Sequence, residues 1–149
     1  MIIEIDQSGK IESTNKKTVI AFSNGKNGSI CISAKDKKML QQFFREIGKP
    51  RVFVYKVFTI LIFLLIKRNL AEIGTITIDK EYPGWEHLIK DYLLREIRRT
   101  KYAFESHQVV FMEVGKHSRA HKIAYNVACK GAPADITVTA TEVLRYIVK

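Results

Sequence analysis

Asp6 and Asp79 each close a short apolar stretch, and this repeated arrangement is the clearest chemical signal in the chain. Ile2-Ile3-Glu4-Ile5-Asp6 runs into Gln7-Ser8-Gly9, and Thr75-Ile76-Thr77-Ile78-Asp79 runs into Lys80-Glu81-Tyr82-Pro83-Gly84. Side chains alternate along a strand, so Ile3 and Ile5 share one face while Asp6 takes the other. Ile76 and Ile78 oppose Asp79 in the same way. If the two strands are parallel neighbours, both carboxylates meet at one sheet edge, where α/β proteins place their chemistry. Two close carboxylates repel unless a cation lies between them, so the arrangement predicts a divalent metal. Either aspartate alone is also an ordinary turn residue that accepts hydrogen bonds from nearby amides. Their joint placement is what makes a site.

The elements that must position them are legible from periodicity and turn residues. Strands are expected at 1–6, 18–22 and 29–33, with Asn24-Gly25-Lys26-Asn27-Gly28 as the hairpin connection between the last two. A helix capped by Asp36 buries Met39, Leu40, Phe43, Phe44 and Ile47 and stops at Gly48. Residues 52–73 are apolar nearly all round, as in a central helix on a sheet, and Gly74 closes it before the Asp79 strand. Pro83 opens a further helix with Trp85, Leu88, Ile89, Tyr92, Leu93 and Ile97 on its apolar side. Trp85 reads there as a core anchor, although Tyr82 and Trp85 beside the Asp79 turn are also placed to stack on a base or sugar. A strand at 109–114 leads through Gly115-Lys116-His117 into a helix capped by Ser118, which buries Ile123, Ala124, Val127 and Ala128 and ends at Gly131. The tail, 133–149, reads as a short extended stretch and a helix capped through Thr139 and Glu142.

This order implies one α/β domain over 1–149: an antiparallel three-strand meander, then strands alternating with helices, in a mixed sheet with helices packed on it. The helix at 36–48 and the segment 132–149 stand as additions to that plan. Right-handed crossovers bring the Asp79 strand beside the first strand.

Composition narrows the partners. The 149 residues carry a formal net charge of +10, which favours a polyanion, nucleic acid before an anionic membrane. Val57–Ile66 is about half the roughly 20 residues that a spanning helix needs, and Lys56, Lys67 and Arg68 bracket it, so no membrane span is expected. Two cysteines, Cys31 and Cys129, with no CxxC spacing, and no basic-then-apolar leader indicate a reducing, cytoplasmic setting. No Gly-x-Ser-x-Gly elbow and no Gly-x-x-x-x-Gly-Lys loop occurs, which argues against a serine hydrolase and a P-loop nucleotide hydrolase. His117 and His121 have half the spacing of a zinc motif, with Cys129 as the one plausible further ligand. His87 and His107 read as surface residues.

With aspartate on its first and fourth strands, the element order over residues 1–131 resembles the ribonuclease H-like superfamily of ribonucleases H, resolvases, transposases and integrases. The resemblance is carried by Ile3-Glu4-Ile5-Asp6-Gln7-Ser8-Gly9, Ile76-Thr77-Ile78-Asp79 and Val114-Gly115-Lys116-His117-Ser118-Arg119-Ala120-His121-Lys122-Ile123-Ala124. It implies metal-binding roles for Asp6 and Asp79. His121 stands where such nucleases usually carry a further acid, as in some resolvase-type members, and neutral imidazole ligates Mn²⁺. His121 lies in the first turn of its helix, where the dipole disfavours imidazolium. Glu81 substitutes for the acid that many members carry after the third strand. His117 shares the His121 face or acts on the scissile phosphate as a general acid.

The resulting expectation is a nuclease dependent on Mg²⁺ or Mn²⁺, with catalytic residues Asp6, Asp79, Glu81, His117 and His121, and Asp6, Asp79 and His121 on the metal. Lys80, Lys90, Arg95, Arg98, Arg99, Lys101 and Lys116 would grip the phosphate backbone of RNA, DNA or a hybrid. One alternative is the same fold with a degenerate site, kept for binding nucleic acid or a protein. Another is an oligomerisation protein, for instance a homodimer, in which 52–66 packs against a partner.

Overall fold

In the computed structural model, which describes residues 1–148, six strands build a single mixed sheet. The elements run β1 (Ile2–Ser8), β2 (Thr18–Ser23), β3 (Gly28–Ile32), α1 (Ala34–Glu46), α2 (Val52–Ile66), β4 (Thr75–Asp79) and α3 (Glu86–Arg98). β5 (Val109–Met112), α4 (Arg119–Cys129), β6 (Ile136–Val138) and α5 (Ala140–Ile147) complete the chain. The strands lie in the order β5-β4-β1-β2-β3-β6. β1, β2 and β3 form the expected antiparallel meander, turning at Asn24 and Gly25, whose φ values of 99° and 102° suit an Asn-Gly hairpin. β1 with β4 and β4 with β5 are parallel.

The alternation read from the sequence decides the layers. Ile3, Ile5, Ile76 and Ile78 are fully buried in the main core, together with α2 and the inner side of α3. Val19 and Ala21 face the other way and pack against Ala124 and Val127 of α4. So α4 covers one face of the sheet, and α2 and α3 the other.

Several elements depart from the sequence reading for local physical reasons. α1 begins at Ala34, because the Ser33 side chain caps it by accepting from the Asp36 amide; Asp36 is the third helical residue, not the cap. Met39 and Ile47 are exposed rather than buried, and Lys37 takes an inward position on that helix. Its ammonium donates to the carbonyls of Lys10 and Ser13 and to Thr18 Oγ1, which clamps the loop that follows β1. Burial lowers the Lys37 pKa to about 8. The helix expected over 52–73 is α2 followed by a 3₁₀ segment, Lys67–Glu72. Every residue of Val57–Ile66 is buried within the domain, so this run is core and offers no face to a partner.

α3 starts at Glu86, not at Pro83, and Trp85 stands before it, 42% exposed rather than in the core. β5 ends at Met112, two residues short of the expected strand. The extended piece of the tail is β6, which pairs in parallel with β3 and adds a sixth strand, so the tail completes the sheet edge. The Thr139–Glu142 capping box holds as expected. No helix among the described residues is long and apolar enough to cross a membrane.

Candidate functional site

The register of β1 on β4 builds the site. Ile5 lies opposite Ile78, so the next residues, Asp6 and Asp79, leave neighbouring strands at the same level and on the same face. Parallel neighbours are about 4.8 Å apart, which puts the two carboxylates in reach of each other. A tight turn, closed by the Glu81 amide on the Asp79 carbonyl at 2.8 Å, returns a third carboxylate to the pair. Asp6, Asp79 and Glu81 each supply an oxygen, and all three lie within 4.8 Å of one another.

Each aspartate also does the turn-forming work expected of it. Asp6 Oδ1 accepts from the Gln7 amide at 2.8 Å, and Asp79 Oδ1 accepts from the Val114 amide at 2.7 Å. The second Asp6 oxygen meets His121 Nδ1 at 2.8 Å. An ionised carboxylate only accepts, so Nδ1 is the donor and Nε2 carries the lone pair of a neutral ring. His121 therefore joins the cluster through Asp6, as an orienting partner, and its Nδ1 is spent on that bond. Ser118 sets this up: it caps α4 by accepting from Ala120, and its hydroxyl donates to Glu4 on β1 at 3.2 Å.

The opposite face of β1 is pinned as firmly. The hydroxyl of buried Tyr82 accepts from Gln7 Nε2 at 3.0 Å and from the Ile11 amide at 3.1 Å, and donates to Glu12 Oε1 at 3.3 Å. Burial pushes the Tyr82 phenol well up, so it keeps the proton that it donates. One hydroxyl thus ties the loop after Asp6 to the turn that carries Glu81.

These side chains open on a cleft of about 270 Å³, lined also by Gln7, Glu113 and Lys116. Glu113 and Gln7 were not singled out by the sequence reading. The signal for Glu113 was present, since it follows β5 as Asp79 closes β4, and the strands are parallel. Gln7 is buried, and its Oε1 has no partner within the protein. Four acids against Lys116 and His121 leave the cleft negative. Burial first, then hydrogen bonding to Asp79 and Asp6 and their charges, raises the Glu81 pKa from 4.5 to about 8. Clustered hard carboxylate oxygens with excess negative charge fit Mg²⁺ or Mn²⁺.

The remaining expected residues are dispersed. His117 is exposed on the turn before α4 and does not line the cleft. Lys80 is exposed beside Asp79. Lys90 lines a separate shallow hollow with Gly84, His87 and Phe111. Arg95, Arg98 and Arg99 line a groove of about 350 Å³ on the half of α3 that runs away from the acids, and Lys101 lies beyond it. Arg98 is partly engaged by the Phe104 carbonyl and Arg99 by Glu96. Trp85, four residues past Glu81, stacks on Tyr55 with ring centroids 4.4 Å apart and planes at 18°.

Tyr82→Phe leaves the buried Gln7 amide and the Ile11 N–H without their acceptor. It should cost about 1–3 kcal/mol in urea denaturation; a loss below about 0.5 kcal/mol would mean that the hydroxyl does not tie the two loops. A second expectation concerns pH. Between pH 4.5 and about 8 the unfolded chain releases the Glu81 proton that the folded chain keeps, so this group makes stability fall as pH rises through that window. In chelator, Glu81→Gln should melt above wild type at pH 8.5 and lose most of that advantage at pH 4.5, read by thermal denaturation. No protein-family model, curated protein or solved structure matches the chain, so its function is argued from the cleft itself.

Proposed function

We propose that this protein is a divalent-metal-dependent nuclease of ribonuclease H-like architecture, cleaving nucleic-acid phosphodiester bonds in the Asp6–Asp79–Glu81 cleft. The observation that carries the reading is the in-register pair of strand-end aspartates, with Glu81 within 4.8 Å and Asp6 braced by His121. The strand order β5-β4-β1-β2-β3, with only β2 antiparallel to its neighbours, supports the same architecture, and the net charge of +10 supports a polyanionic substrate.

Asp6, Asp79 and Glu81 would hold Mg²⁺ or Mn²⁺, which when bound acidifies a water and offsets charge on the phosphate. The chain's own groups do the rest. Glu81 gives up its proton as the cation enters, because the positive charge removes the reason for keeping it. His121 holds Asp6 in one orientation through Nδ1, and its Nε2 takes a proton from the attacking water. Lys116 draws the phosphate into the cleft, and Lys80 meets the backbone beside it. Trp85, braced by Tyr55, offers an exposed aromatic face on which a nucleotide flanking the scissile phosphate stacks. His117 is given no catalytic part.

Asp79→Asn keeps the oxygen that accepts from Val114, so the fold should stand while cleavage with Mg²⁺ or Mn²⁺ falls at least a hundredfold. The measurement is cleavage of labelled RNA, DNA, hybrid and branched substrates, with thermal denaturation as the control. Wild-type rates in Asp79→Asn would sink the assignment. Salt-dependent binding by the wild type with no turnover in either metal would favour the degenerate binding module instead.

Trp85→Ala should raise KM several-fold and leave kcat within about twofold, since it removes a stacking contact worth roughly 1–3 kcal/mol. As the only tryptophan in the chain, Trp85 should also lose fluorescence when a single-stranded oligonucleotide binds. Unchanged fluorescence at saturation would remove Trp85 from the substrate path.

A further inference from the structure

The largest cleft, about 510 Å³, is remote from the acids. α2 ends at it, just before β4 begins, and α3 ends at it after running back from the acidic edge. It therefore opens at the amino-terminal edge of the parallel strands, a strand length of roughly 15 Å from the acids.

Its chemistry is of two kinds. The walls are aromatic: Phe63 and Tyr146 meet edge to face at 5.9 Å, and Tyr102 lies across the opening from α5. The rim is cationic, with Lys67, Arg68, Arg99 and Lys101 against the single carboxylate of Glu96. Two of these cations already sit over rings, Lys67 at 5.9 Å from the Tyr146 centroid and Lys101 at 5.4 Å from that of Tyr102. Glu96 is 1% exposed and is joined to Arg99 Nη1 at 3.1 Å. A carboxylate has about four lone-pair positions, so a paired Glu96 keeps capacity to accept from a ligand N–H.

We infer that this cleft binds a free purine nucleoside phosphate, with guanine the favoured base. The aromatic walls take the flat base, the cationic rim takes the phosphate, and Glu96 accepts from the ring and exocyclic N–H groups that guanine presents side by side. An acyl phosphate or lipid fits less well, because an apolar chain gains nothing from a buried carboxylate and would desolvate it without a donor. Inorganic phosphate fits less well because it leaves the aromatic walls unused. The inference is independent of the nuclease reading, which concerns the other edge of the sheet.

The test is calorimetric titration of the full chain, in chelator, with GMP, AMP, guanosine and inorganic phosphate. GMP should bind at least tenfold more tightly than guanosine, inorganic phosphate or AMP. Arg68→Ala, on the exposed rim, and Tyr102→Ala, checked for an unchanged melt, should each weaken GMP at least fivefold. Asp79→Asn should bind GMP as wild type does, which separates this pocket from the acidic cleft. Equal affinity for inorganic phosphate would reduce the cleft to an anion patch and overturn the proposal. So would GMP binding that is indifferent to Arg68 and Tyr102. An oligonucleotide that binds more tightly than GMP, and is weakened by the same two variants, would overturn the assignment to a free nucleotide.

Discussion

The parallel register of β1 on β4 is the constraint on which the rest depends. With Ile5 opposite Ile78, both isoleucines go into the core and both following aspartates go to the α4 face. A slip of one residue would turn Asp79 to the other face and expose Ile78, so the apolar burial that fixes the register also fixes the site. The core thereby holds carboxylates together against their own repulsion. Two like charges about 4 Å apart repel by about 4 kcal/mol at an effective dielectric constant of 20. The protein relieves that by keeping a proton on Glu81, which is the physical meaning of its raised pKa. A cation is the other way to relieve it, and the two compete for the same oxygens.

Two braces make the arrangement rigid rather than merely close. His121 reaches Asp6 from α4, and Tyr82 reaches Gln7 and Ile11 from the opposite side of the sheet. Lys37 adds a third restraint by clamping the loop between β1 and β2 from α1. Each brace replaces a loop's own freedom with hydrogen bonds to an element that is itself packed. Preorganised donors and acceptors of this kind are what a site needs if charge is to be met where it develops.

Much of this was legible in the sequence, because period-two alternation and turn residues report directly on strands and their edges. The meander, the Asn24-Gly25 hairpin, the buried run 57–66, the Ser118 cap and the meeting of Asp6 with Asp79 all follow from such local signals. What escaped was tertiary. Lys37 reads as a solvent residue because nothing local tells that three acceptors await it. Trp85 falls on an apolar stripe if the helix starts at Pro83, but the chain stays non-helical until Glu86 and the indole turns outward onto Tyr55. His121 is in the right place for a ligand, yet its Nδ1 is committed to Asp6, a fact only distances reveal. His117 needed the actual path of the 115–118 turn.

Charge is sorted between the two edges of the sheet, and the sorting constrains any reaction in the acidic cleft. A chain of net charge +10 concentrates four acids at the carboxyl edge of β1, β4 and β5 and gathers cations around the far end of α3. A polyanion is drawn to the protein by the whole field but is repelled locally where the acids sit. Lys116 and Lys80 alone do not reverse that local sign while the acids beside them are ionised. Neutralisation of the carboxylates must therefore accompany or precede the approach of a phosphate. A proton on Glu81 achieves part of it but removes one of the three clustered oxygens from service as a charged ligand. A divalent cation neutralises the cluster and leaves all three oxygens engaged, so a basic protein with this cleft approaches a phosphate productively only with the cation in place.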